Sequence, residues 1–120
     1  MLEEAERKHR QFFDLLSAPS DRPVWEPPAD IFADDAHVHV IVALPGARVD
    51  EVTVHITPSG LQVDTAVPPP AADAVMNVVR LEIPYGRMRR RIGLPPGHYV
   101  LTERHLEHGC LHLRLTKEIP

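Results

Sequence analysis

Residues 37–46 read His37-Val38-His39-Val40-Ile41-Val42-Ala43-Leu44-Pro45-Gly46. Val38, Val40 and Val42 alternate with His37, His39 and Ile41, the period of two that turns one set of side chains to a buried face and the other away from it. Pro45 has no amide for a ladder and Gly46 tolerates positive φ, so the strand stops there and the chain can cross to a second sheet.

The same period recurs downstream. Val52, Val54 and Ile56 point inward from a strand over residues 52–57, and Pro58-Ser59-Gly60 turns into another strand over 61–65. Residues 66–77 hold Pro68-Pro69-Pro70 among small side chains and read as an excursion from the core. Strand character returns over residues 78–83, 88–92 and 99–106, and Leu111-His112-Leu113-Arg114-Leu115 alternates without a fault. Short strands punctuated by proline and glycine, with no helices between them, indicate an all-β antiparallel sandwich of about seven to eight strands. Ahead of it, residues 2–16 carry acids first and bases later, as a helix dipole prefers, and Ser17 with Pro19 closes this short N-terminal helix. Residues 18–28, with four prolines, then form an extended linker around Trp25. The expected division is a helix and linker over 1–22, one sandwich domain over 23–117 and a short tail over 118–120.

Composition narrows the function. A chain of 120 residues with 43% hydrophobic content buries one core and not two. Thirteen Lys and Arg against 17 Asp and Glu give a net charge of −4, which removes the long-range attraction to phosphate expected of a nucleic-acid binder. A single cysteine, Cys110, precludes an internal disulfide and fits a reducing compartment, and it reads as buried and inert. The acidic start is unlike a secretion signal, and no apolar run approaches the roughly 20 residues needed to span a bilayer, so a cytoplasmic, membrane-free protein is expected. Neither a phosphate-binding glycine loop nor a nucleophile elbow nor a paired-carboxylate cleft is present, which leaves no sign of an enzyme or of a cofactor.

Four segments resemble the small heat-shock proteins, the alpha-crystallin domain family, in the bacterial form. They are Trp25 to Ile31; Ala43-Leu44-Pro45-Gly46 followed by Asp50-Glu51-Val52; Glu82 to Arg90 running on to Leu94-Pro95; and Glu107-His108-Gly109-Cys110-Leu111 leading to Lys117. The resemblance implies an immunoglobulin-like sandwich and an ATP-independent chaperone, a holdase that binds partially unfolded proteins under stress and suppresses their aggregation. The alternative is a CS-like cochaperone module of the same architecture serving one partner. Three positions depart from the family. Arg104 stands where relatives carry a small residue, Gly93 precedes Leu94-Pro95 where many have arginine, and Ile119 is alone where relatives carry two docking isoleucines after the domain. A homodimer is therefore expected, a large cage is not, and co-assembly with a longer relative stays open.

Client-binding candidates follow from the need for mobile apolar surface on a rigid scaffold. Phe12, Phe13, Leu15 and Leu16 form the apolar end of the N-terminal helix, which either meets clients or packs on its own domain. Val52, Val54 and Ile56 border the groove that the family forms against the strand over 99–106, though these residues can face the core alone and Val54 reads as core ahead of groove. The resemblance also implies a dimer in which Ala74, Val75, Met76 and Val78 cross to pair beside the partner's Ile31 and Phe32, covering an edge that invites aggregation. Arg87, Arg89 and Arg91 share one strand face, with Arg87 and Arg89 assigned to the dimer interface and Glu82 as an acidic counterpart. Eight histidines lack any metal-binding sequence spacing and read as solvent-facing strand residues, so no metal is expected.

Overall fold

The alternating valines of residues 37–43 form the second strand of a two-layer structure. In the computed structural model, which describes residues 24–69 and 76–118, the strands are β1 (Ala29–Ala33), β2 (His37–Ala43), β3 (Thr53–Thr57), β4 (Gly60–Val67), β5 (Gly86–Gly93), β6 (His98–Glu107) and β7 (Cys110–Glu118). One sheet has the order β1-β2-β7-β6 and the other β3-β4-β5, every pairing antiparallel. Val38, Val40 and Val42 of β2 and Leu111, Leu113 and Leu115 of β7 meet Leu61, Val63 and Val67 of β4 and Met88 and Ile92 of β5 in a single core. The strict alternation of β2, β4 and β7 is thus the imprint of one face against the other sheet and one face against solvent.

Several boundaries differ from the sequence reading. Val52 stands outside β3, at the end of a 3-10 turn over Val49–Glu51, and it is buried. Residues 78–83 are not a strand: among the described residues no ladder partner reaches them, and five apolar side chains from Met76 to Ile83 stay exposed. Glu118 belongs to β7, where it pairs with His98, and is not part of a tail. Residues 2–16, for which a helix is expected, and Ile119 lie outside the described residues.

Two local devices set the register of the β6–β7 hairpin. His108 and Gly109 both adopt positive φ, 53° and 73°, the geometry of a two-residue turn whose twist matches the strands. That turn places Glu107 opposite Cys110, Leu106 opposite Leu111, His105 opposite His112 and Arg104 opposite Leu113. A bulge then occurs between Leu101 and Glu103, leaving Thr102 without a partner position. Its hydroxyl bonds instead to the Arg114 carbonyl at 3.1 Å and lies 3.3 Å from the Thr116 hydroxyl. Because of the bulge, Tyr99 and Leu101 face the core on one side of it and Arg104 and Leu106 on the other.

Candidate functional site

A sandwich of unequal sheets has open edges, and here they carry the exposed apolar surface. At one edge β3 and β6 flank the gap between the layers. Val54 and Ile56 oppose Val63 and Leu61, so both point inward, yet Ile56 is 42% exposed. An inward side chain left that open stands at the mouth of a groove between the layers, while on the other layer Leu101 and Leu106 of β6 pack against the core. Arg104 crosses this groove. From a core-facing register position it sends its guanidinium to the opposite layer, where Nη2 donates to the Val49 carbonyl at 3.1 Å and to the Val52 carbonyl. A small residue at 104 has no such reach, so the departure from the family pattern is a crossbar between the sheet edges.

Arg104→Ala is expected to open the groove at the expense of stability. Fluorescence of an apolar dye should increase on titration of the variant, while urea denaturation should show a loss of about 1 kcal/mol, since hydrogen bonds from an exposed guanidinium are discounted by solvent. Unchanged dye binding would show that the crossbar does not control access.

At the opposite edge, Ile31 of β1 faces inward against Val40 but is 43% exposed, and Phe32 on the other face is 57% exposed. The neighbouring edge of β5 is partly covered by Trp25, which makes a two-way backbone bridge to it, Trp25 N–H to the Arg87 carbonyl and Arg89 N–H to the Trp25 carbonyl, both 2.9 Å. The indole N–H donates to the Tyr85 carbonyl at 3.1 Å, fastening the linker to the sandwich. Between β4 and β5 the chain presents Met76, Val78, Val79, Leu81 and Ile83, with Val79 94% exposed. Apolar groups gathered on one segment in this way differ from the singly scattered hydrophobes of an ordinary exterior.

Heat shock protein 16.0 from Schizosaccharomyces pombe superposes with a TM-score of 0.67 at 25% identity, over 77% of this chain and 86% of that one. A small heat-shock protein from Xylella fastidiosa gives 0.67 at 22% identity over 82% and 91% of the two chains. A mutant of hsp14.1 from Sulfolobus gives 0.64 at 15% identity over 98% of each. The chain has the small heat-shock protein fold. No protein-family model and no curated protein matches the sequence. Small heat-shock proteins are chaperones, not enzymes. Among the described residues no helix is long and apolar enough to cross a membrane.

Within this alpha-crystallin sandwich the residues singled out from sequence separate. Ile56, and Val54 behind it, line the groove, whereas Val52 is 4% exposed and part of the core, so it has no surface to offer a client. Ile31, Phe32, Met76 and Val78 are all exposed. Ala74, Val75, Phe12, Phe13, Leu15 and Leu16 lie outside the described residues. Arg87 is exposed on the outer face of β5, but Arg89 is engaged within its own sheet, its Nε donating to Asp64 Oδ1 at 2.6 Å. The acidic counterpart is thus Asp64, directly opposite in register, and not Glu82, which instead pairs with Arg80 at 3.6 Å. Arg90 points to the other face, as its parity requires, and reaches Glu26 at 3.9 Å. Cys110 is half-buried rather than fully enclosed.

The Asp64 carboxyl is held below its ordinary pKa. Partial burial acts to raise it, but hydrogen bonds from Arg89 and Gln62 and the charges of Arg89 and Arg87 together outweigh that effect. A carboxyl with a depressed pKa in the folded state stabilises the fold fully above the unfolded value, about 4, and the contribution disappears as pH falls through the lower folded value. Asp64→Asn should therefore lose about 0.5–1 kcal/mol at neutral pH, with the gap to the parent protein closing only below about pH 4 in urea titrations.

Proposed function

We propose that this chain is an ATP-independent holdase that binds partially unfolded proteins and limits their aggregation. The observation that carries this reading is the exposed apolar segment from Val79 to Ile83, set on a sandwich whose own core is closed. Side chains on a segment without ladder bonds can adapt to unlike partners, while the sheets keep the protein folded. The groove at Ile56 is a second receptor, suited to an extended peptide added along the β3 edge, with Arg104 limiting what enters.

The working unit in this reading is a homodimer in which Met76 and Val78 cross to the partner's β1 beside Ile31 and Phe32. The inward but half-exposed Ile31 supports that arrangement, because a further strand against the edge of β1 would cover it. Ala74 and Val75 complete the crossing segment in this proposal, and the apolar side chains Phe12, Phe13, Leu15 and Leu16 add client surface.

Light scattering of a heat-labile enzyme, without ATP, tests the proposal. The full chain should suppress scattering, and a variant lacking residues 1–22 should do so less well. No suppression by either protein at several-fold excess would leave a sandwich that serves one dedicated partner.

A further inference from the structure

The outer face of the four-stranded sheet gathers three histidines from three different strands. His39 of β2, His105 of β6 and His112 of β7 line one depression together with Phe32, His37 and Glu103. His105 and His112 are direct register partners, their rings stacked with centroids 4.8 Å apart and planes 4° apart. Glu107, two residues along β6 on the same face, lies with Oε2 3.4 Å from His105 Nε2. On the other side, His39 Nε2 is 3.4 Å from His112 Nδ1.

We propose that His105, Glu107 and His112 bind a divalent transition-metal ion of the zinc class, with His39 as the outer partner that orients His112. One ligand atom from each of the three lies within 4.8 Å of the others. A tetrahedral zinc with bonds of about 2.0–2.1 Å holds its ligand atoms about 3.3 Å apart. The His105–Glu107 spacing already has that value; bringing in His112 takes a closure of about 1.5 Å together with ring rotations that turn the two stacked planes toward one ion, both being side-chain torsions open to a surface site. Two imidazoles and a carboxylate form a zinc ligand set that leaves a fourth position for water. Imidazole donors favour zinc, copper or nickel over calcium and magnesium, whose ions take oxygen ligands. The local charge also suits a cation, because Asp34 and Glu103 flank the depression against the single guanidinium of Arg114. With ligands from both β6 and β7, a bound ion would clamp the edge strand to its neighbour.

Zinc binding to the full chain by equilibrium dialysis and calorimetry at neutral pH is the test, with calcium as the contrasting ion. The expected result is one zinc per chain, no calcium binding, and loss of the saturable site in the double variant His105→Ala, His112→Ala. Glu107→Gln should weaken binding, His39→Ala should weaken it about tenfold, as removal of an outer partner does, and Cys110→Ser should leave it unchanged. All the altered ligands are surface side chains, and circular dichroism verifies that the variants fold. In a nitrogen-15 spectrum the imidazoles of His105 and His112 should shift on adding zinc, while that of His55, on the other sheet, should not. Saturable binding that survives the double variant, or zinc that never saturates the parent protein, would overturn the proposal.

Discussion

Gly60→Ala is expected to cost about 3 kcal/mol or more, the upper end of the range for forced overpacking. Gly60 is buried at the start of β4 and paired with Gly93 of β5. A Cβ at position 60 would overlap the Ile92 carbonyl oxygen and approach the Gly93 Cα to 3.1 Å. Both obstacles are backbone, so no rotamer change relieves them, and the ladder that runs from Gly60–Gly93 to Val67–Gly86 must part at its first rung. For a domain whose whole stability is on the order of 5–15 kcal/mol, that is a large fraction. Gly93 supplies the comparison, because a Cβ there meets nothing within 4 Å. Urea denaturation of the two alanine variants should therefore give a large shift in midpoint for position 60 and a small one for position 93. Equal shifts would mean that the two strands do not approach so closely.

Leu113→Ala should be of similar size for the opposite reason. Leu113 is completely buried in the middle of β7, between Val40 and Arg104 in register, under both layers. Truncation removes apolar contact and leaves a cavity that a two-sheet sandwich cannot collapse, a loss of about 2–5 kcal/mol. In a domain of this size that is a fall in Tm on the order of 10–30 °C. Val79→Ala, at a side chain 94% exposed, should stay within about 0.5 kcal/mol. Under the proposed function the difference is consequential. A holdase must remain folded at temperatures where clients do not, so Leu113→Ala should lose aggregation suppression at the higher assay temperatures while keeping it at the lower. Calorimetry and scattering on the same variants would check both halves.

The layers of this sandwich were legible because burial writes itself into sequence at period two. Val38-Val40-Val42 and Leu111-Leu113-Leu115 are completely or almost completely buried, as their alternation indicates. The reading failed where tertiary context overrides local preference. Val78 and Val79 are good strand formers, but among the described residues they have no neighbouring strand and remain outside the sheets. Val52 continues the parity of Val54 and Ile56, yet it caps the 3-10 turn over Val49–Glu51 and the ladder of β3 begins only at Thr53. The histidine cluster was missed although a signal existed. Recognising His108-Gly109 as a two-residue turn puts His105 opposite His112 by counting outward from it, whereas His39 joins them only through the β2–β7 pairing, which no local spacing reveals. Arg104 was noted only as a departure, because its role depends on a carbonyl pair more than 50 residues away.

Thr102 has a meaning for how the length of this chain can change. The bulge removes it from the pairing, so Leu101 remains opposite Leu115 and Glu103 opposite Arg114 whether or not it is counted. Deleting Thr102 would straighten β6 and turn no other side chain over. A deletion farther along β6 would draw Thr102 into the ladder, and the residues between the deletion and the bulge would present the wrong face. The two halves are thus free to diverge by gain or loss of one residue at their junction, the guanidinium and imidazoles being specified from the hairpin and the core packing from the far end.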